Sequence, residues 1–304
     1  MLFKKKTFFL TLLILILLIA GCRIPGCGSE EENSGENTQN EIEMPEEVEE
    51  IESALLEIMH EADLIPLVTL VSQQSGEGAE SGNQQSDEQE NQESEGEEGQ
   101  EVEITFEKTI LGEVLQRELD EENDGGENNQ LPTNTEEIWD NIKTNITEVH
   151  YQWNELEPKL IQENMYTDTI NSFEESLEGL TLFSSEQNHF GTLTEANELT
   201  NYLSKFMVPF AENTISTVNE LKYHTRNIVL SAAVDNYEEA QESLTYMKEQ
   251  SLVVTRDLEN YNVEDLDTAL NNLQRALDTQ DVGLIDIKAA IVMEELIQIN
   301  DELE

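Results

Sequence analysis

Between Thr135 and Glu178 the chain contains no glycine, and its apolar residues keep a helical rhythm. Ile138, Ile142, Ile146, Val149, Trp153, Leu156 and Leu160 follow one another at steps of four, four, three, four, three and four. At 3.6 residues per turn those steps lay one continuous apolar stripe along a long helix, whereas a strand would need alternation by two. A striped helix is unstable alone in water, so this feature commits the chain to packing helix on helix. Pro158 lies inside the stripe. It lacks a backbone N–H and clashes with the preceding turn, so it is expected to kink or end the helix near Glu157.

The same rhythm recurs to the end of the chain. A second helix is predicted from Thr167 or Asp168 with Ile170, Phe173, Leu177 and Leu180, weakened at its end by Gly179. Thr192-Leu193-Thr194-Glu195 fits a capping box, so a third helix is expected to begin there and carry Leu199, Tyr202, Leu203, Phe206 and Phe210, bent at Pro209. The pattern resumes with Val218, Leu221, Thr225, Ile228 and Ala232, and Asp235-Asn236 offers the cap for a helix holding Tyr237, Ala240, Leu244 and Met247. Glu264 to Leu277 and Val282 to Leu303 complete the set. Short polar joints imply antiparallel neighbours. The predicted fold is all-α: an up-and-down antiparallel bundle of long, kinked helices over 135–304.

Ahead of the bundle the composition changes. The chain carries 67 Asp+Glu against 15 Lys+Arg, a net charge of −52. That surplus repels phosphate backbones and excludes nucleic acid as a partner. Between Glu30 and Asn134 there are 33 acidic residues and two basic ones, Lys108 and Arg117. Within it, Gln73 to Gln100 has Ala79 as its sole apolar residue, too little burial to offset ordering entropy, so 73–100 is predicted to be a disordered insert and 22–44 a disordered acidic tether. The segment 45–72 reads as a short amphipathic helix through Val48, Ile51, Leu55, Ile58, Met59 and Ala62, followed by the apolar run Leu67 to Val71. The segment 101–122 reads first as a strand, with Val102, Ile104 and Phe106 alternating as possible partners of that run. It then reads as a helix through Ile110, Leu111, Val114, Leu115 and Leu119. Residues 123–134 are a linker. Both short segments are expected to lean on the bundle, since a lone apolar stripe needs a partner.

The first residues supply an address. Lys4, Lys5 and Lys6 precede the run from Phe8 to Ala20, a basic patch before an apolar stretch shorter than the roughly 20 residues of a spanning helix. The stretch closes Leu18-Ile19-Ala20-Gly21-Cys22. This resembles the lipobox of bacterial lipoproteins. The resemblance covers only 1–22. It implies a signal peptide over 1–21, cleavage before Cys22, diacylation of the Cys22 thiol and attachment to the cell membrane facing outward. Arg23 stands where the family's inner-membrane retention signal would place Asp. Cys27 then has no intrachain partner and reads as a spare thiol.

No phosphate-binding Gly loop, nucleophile elbow, zinc-protease motif or haem-attachment motif occurs in the chain, so neither an enzyme nor a cofactor is expected. Glu57-Ile58-Met59-His60 and Glu186-Gln187-Asn188-His189 are two Glu-x-x-His pairs, the spacing that places two metal ligands on one helix face. His189 falls in a predicted loop, however, and Glu57 and His60 on a peripheral helix. These four are therefore weak metal candidates. His150 and His224 read as boundary residues satisfied by neighbours, and Trp139 and Trp153 as core or boundary aromatics. Asp120 to Gly125 resembles the start of a calcium loop, but Leu131 occupies the position that needs a bidentate Glu. The function expected is a non-catalytic binding or scaffolding lipoprotein of the cell envelope. The alternative is an extracytoplasmic binder of a metal cation or small solute through carboxylates and histidines of the bundle.

Overall fold

The structure is a computed structural model that describes residues 43–77, 109–122, 132, 134–211, 213–256, 258 and 261–303. Among them lie nine helices and no strand: α1 (Glu46–Glu77), α2 (Gly112–Glu122), α3 (Thr135–Gln162), α4 (Thr167–Ser185), α5 (His189–Met207), α6 (Asn213–Ala233), α7 (Tyr237–Val254), α8 (Val263–Thr279) and α9 (Val282–Leu303). The fold is all-α, and among the described residues helices pack on helices.

Two closed rings of four helices follow one another. In the first, α1 packs on α3, α3 on α4, α4 on α5, and α5 back on α1. In the second, α6 packs on α7, α7 on α8, α8 on α9, and α9 back on α6. Contact between α5 and α6 joins the rings, while α2 lies against both α1 and α9. Side-chain rungs fix the directions. Lys159 meets Glu47, Asn145 meets Glu57 and Asn141 meets Glu61, so residue numbers fall along α3 as they rise along α1. The α5–α6 pair is likewise antiparallel, with Ser216 donating to the Ser204 carbonyl and Tyr223 to Glu198.

The stripe on α3 is buried along its whole length, from Ile138 to Leu160. At the centre of the first ring Trp153 lies 4.2 Å from Phe173 of α4 and 5.7 Å from Phe206 of α5, centroid to centroid. Leu244, Met247, Leu270, Leu273, Val292 and Leu296 fill the second.

Several local expectations give way to packing. The helix at 45–72 does not stop near Ala62. It runs through Pro66 to Glu77, and Leu67 to Val71 are helical, with Leu67 and Val68 buried, so that run is not a strand. The proposed partner at 102–106 lies outside the described residues, as does 78–100 of the acidic insert. Pro158 does not end α3, which continues to Gln162 because Leu156 and Leu160 on either side are both fully buried. Gly179 does not end α4, which reaches Ser185.

The third C-terminal helix begins at His189, not at the Thr192 box: the Asn188 side chain accepts from Gly191 N–H at 3.0 Å. Gly191 is required there, since a Cβ would come within 2.7 Å of the Phe183 ring. Pro209 lies beyond the end of that helix and not at a bend within it. Asn236 caps α7 as expected. Four tight connections each contain a non-glycine residue with positive φ, Asn164, Gln187, Asp235 and Gln280.

Candidate functional site

The Glu-x-x-His pairs do not assemble. Glu57 and His60 lie on an exposed side of α1, where Glu57 accepts from Asn145 Nδ2 at 3.1 Å. Glu186 is the exposed C-cap of α4, while His189 is not in a loop but opens α5, so this pair straddles a turn. Partial burial pushes the His189 imidazole below its ordinary range. Among the described residues no three His, Cys, Asp or Glu side chains are grouped so as to hold a metal ion. Cys22 and Cys27 lie outside the described residues, as does most of the calcium-loop-like segment, whose first residues continue α2.

His150 and His224 are satisfied by neighbours. His150 Nε2 lies 3.0 Å from Thr181 Oγ1, and His224 Nδ1 lies 3.2 Å from Ser243 Oγ between the rings of Tyr223 and Tyr246. Burial, with a smaller contribution from Lys205, holds the His224 imidazole down at about 4. Trp139 and Trp153 are buried.

The buried polar chemistry collects instead where the two rings meet. Arg226 of α6 is 0% exposed, yet all of its guanidinium nitrogens have partners. Nη1 meets both oxygens of Glu118 on α2, at 2.5 and 2.7 Å. Nε donates to Asn197 Oδ1 at 2.8 Å and Nη2 to Thr200 Oγ1 at 2.9 Å, both on α5. One side chain thus ties the second ring to the first and to α2. A guanidinium suits the task because its planar fork serves several acceptors at once.

At the other end of α2 two more carboxylates converge. Asp63 of α1, 2% exposed, accepts from Ile110 N–H at 2.7 Å and Leu111 N–H at 2.9 Å, just ahead of the helix. Asp286 of α9, 6% exposed, accepts from the backbone N–H of Glu113, and its Oδ1 is buried without a hydrogen-bond partner. Burial pushes the Asp63 carboxyl up to about 6, against the lowering effect of its two N–H donors. Burial first, then the like charges of Asp63 and Glu113, push Asp286 up to about 8. Burial and like charge both favour the neutral acid form of Asp286.

None of these four residues stood out in the sequence as functional, although each carries a visible signal. Asp63 is in phase with Met59 and Leu67, Glu118 with Leu111 and Val114, Arg226 with Val229 and Leu230, and Asp286 with Ala290 and Met293. A charged residue on an apolar face costs too much to bury without a partner, so its partners are the thing to seek.

No family model matches the chain, and neither does any curated protein or solved structure. Among the described residues no helix is long and apolar enough to cross a membrane.

Proposed function

We propose that this chain is a lipid-anchored lipoprotein of the outer face of the cell membrane, whose helical body binds or scaffolds at the envelope without catalysis. The observation that carries this reading is the ordered sequence of Lys4 to Lys6, an apolar run and Leu18-Ile19-Ala20-Gly21-Cys22. Two acyl chains at about 0.8 kcal/mol per buried CH₂ would hold a highly charged body at a membrane that its own surface does not attract. The acidic segment between Cys22 and α1 serves as the spacer. The body fits a scaffold in that its polar interior is spent on joining helices: Arg226, Glu118 and Asp63 bind other parts of the fold.

Metabolic labelling of the full chain with an alkyne fatty acid, followed by membrane fractionation, tests the anchor. The wild type is expected to be labelled and membrane-bound, and Cys22→Ser unlabelled and released. A labelled, membrane-bound Cys22→Ser protein would overturn the assignment. Elemental analysis of the purified protein addresses the cation-binding alternative, which a stoichiometric metal would favour.

A further inference from the structure

α2 is held differently from the eight helices of the rings. It has 11 residues and belongs to neither ring, and it is attached by the apolar residues Leu111, Val114, Leu115 and Leu119, the buried Glu118–Arg226 pair, the exposed Arg117–Glu294 pair, and the two carboxylates at its start. Asp63 uses both oxygens on the Ile110 and Leu111 amides, so it is matched to hydrogen-bond donors. Asp286 uses one oxygen on the Glu113 amide and leaves Oδ1 buried and unpartnered. A second carboxylate charge there would lie beside a first with no counter-ion. The charged groups acting on Asp286 are Asp63 of α1 and Glu113 of α2, both of like sign, and α6 and α8, which also pack on α9, add none. Arg226 is engaged with Glu118 and Arg117 with Glu294, while Lys222 of α6, Arg275 of α8 and Lys288 of α9 do not act on Asp286.

The geometry points to α2 being a proton-dependent strap: a proton held by Asp286, beside Asp63, keeps α2 docked on α1 and α9, and its loss to solvent releases the helix. Release uncovers Leu111, Val114 and Leu115 and removes Glu118 from Arg226, so one proton is coupled to the junction between the rings. This inference is independent of the lipid anchor.

The sign follows from linkage. Both carboxyls are raised in the docked state, so docking binds protons and is weakened as pH rises through their values. Hydrogen exchange of the full chain from pH 5 to 9, corrected for intrinsic base catalysis, reads the opening of 110–118 against α3 as the internal control. The opening constant of α2 is expected to rise about tenfold per pH unit between 6 and 8, more steeply below 6 where Asp63 also gives up a proton, and to level off above 8. Asp286→Asn, an uncharged isostere, is expected to flatten the 6–8 rise. A flat wild-type profile, an unchanged slope in Asp286→Asn, or the same slope in α3 would overturn the strap. Should Asp286→Asn fail to fold, the carboxyl ¹³C shift of Asp286 in the wild type decides: a midpoint above pH 6 supports the inference and one near 4 overturns it.

Discussion

Replacing Glu118 by Gln leaves the Arg226 guanidinium fully buried without a counter-charge, because its other partners, Asn197 and Thr200, are neutral. Removing one partner of a buried ion pair costs about 3–5 kcal/mol, far more than an exposed pair such as Arg117–Glu294 is worth. Denaturant unfolding of Glu118→Gln is expected to show a loss of that size, against less than about 1 kcal/mol for Glu294→Gln. His224 acts on the acid side. Its imidazole is held down at about 4, so the folded state resists protonation while the unfolded chain accepts it near 6.5. The stability contributed by neutral His224 is therefore present above pH 6.5 and lost as pH falls towards 4. His224→Gln should show a shallower loss of melting temperature between pH 6.5 and 4 than the wild type.

At the scale of the element, α1 and α3 both continue past a proline. Pro66 and Pro158 each remove one backbone hydrogen bond and crowd the preceding turn, a local cost of about 3 kcal/mol. The helices persist because side chains on both flanks are buried: Ala62 and Leu67 around the first, Leu156 and Leu160 around the second. Pro158 is exposed, so Pro158→Ala restores the N–H without disturbing the core. It is expected to stabilise by about 1–3 kcal/mol, less whatever the more flexible unfolded chain returns, read as a rise in melting temperature of several degrees. A melting temperature unchanged or lowered would mean that the proline is better accommodated than its chemistry suggests.

At the scale of the molecule, the surplus of 67 acidic over 15 basic residues sets the response to salt. Exposed like charges repel in the compact state, and the Debye length shrinks from about 10 Å at 0.1 M to about 3 Å at 1 M. Thermal stability is expected to rise with sodium chloride over that range, and a melting temperature that stays flat or falls would count against a repulsion-limited fold. Helix existence and class were legible because a stripe such as Ile138 to Leu160 survives any tertiary detail. Helix ends were less so. Asn188 and Gly191 move the start of α5 ahead of the apparent Thr192 box, through a side-chain cap and a close approach to Phe183 that no local pattern reveals.

The sequence by itself determined that this chain builds helices with one apolar face each and that it is strongly anionic, because period and charge are local properties of the chain. The tertiary structure alone decided that α1 closes the first ring, that eight of the nine described helices form two rings of four, and that Arg226, Glu118, Asp63 and Asp286 meet around α2. Arg226 and Glu118 are 108 positions apart, Asp63 and Leu111 are 48. Pairings at such separations are chosen by which buried charge finds a partner once the apolar faces have come together, and no stretch of sequence contains both halves of that choice.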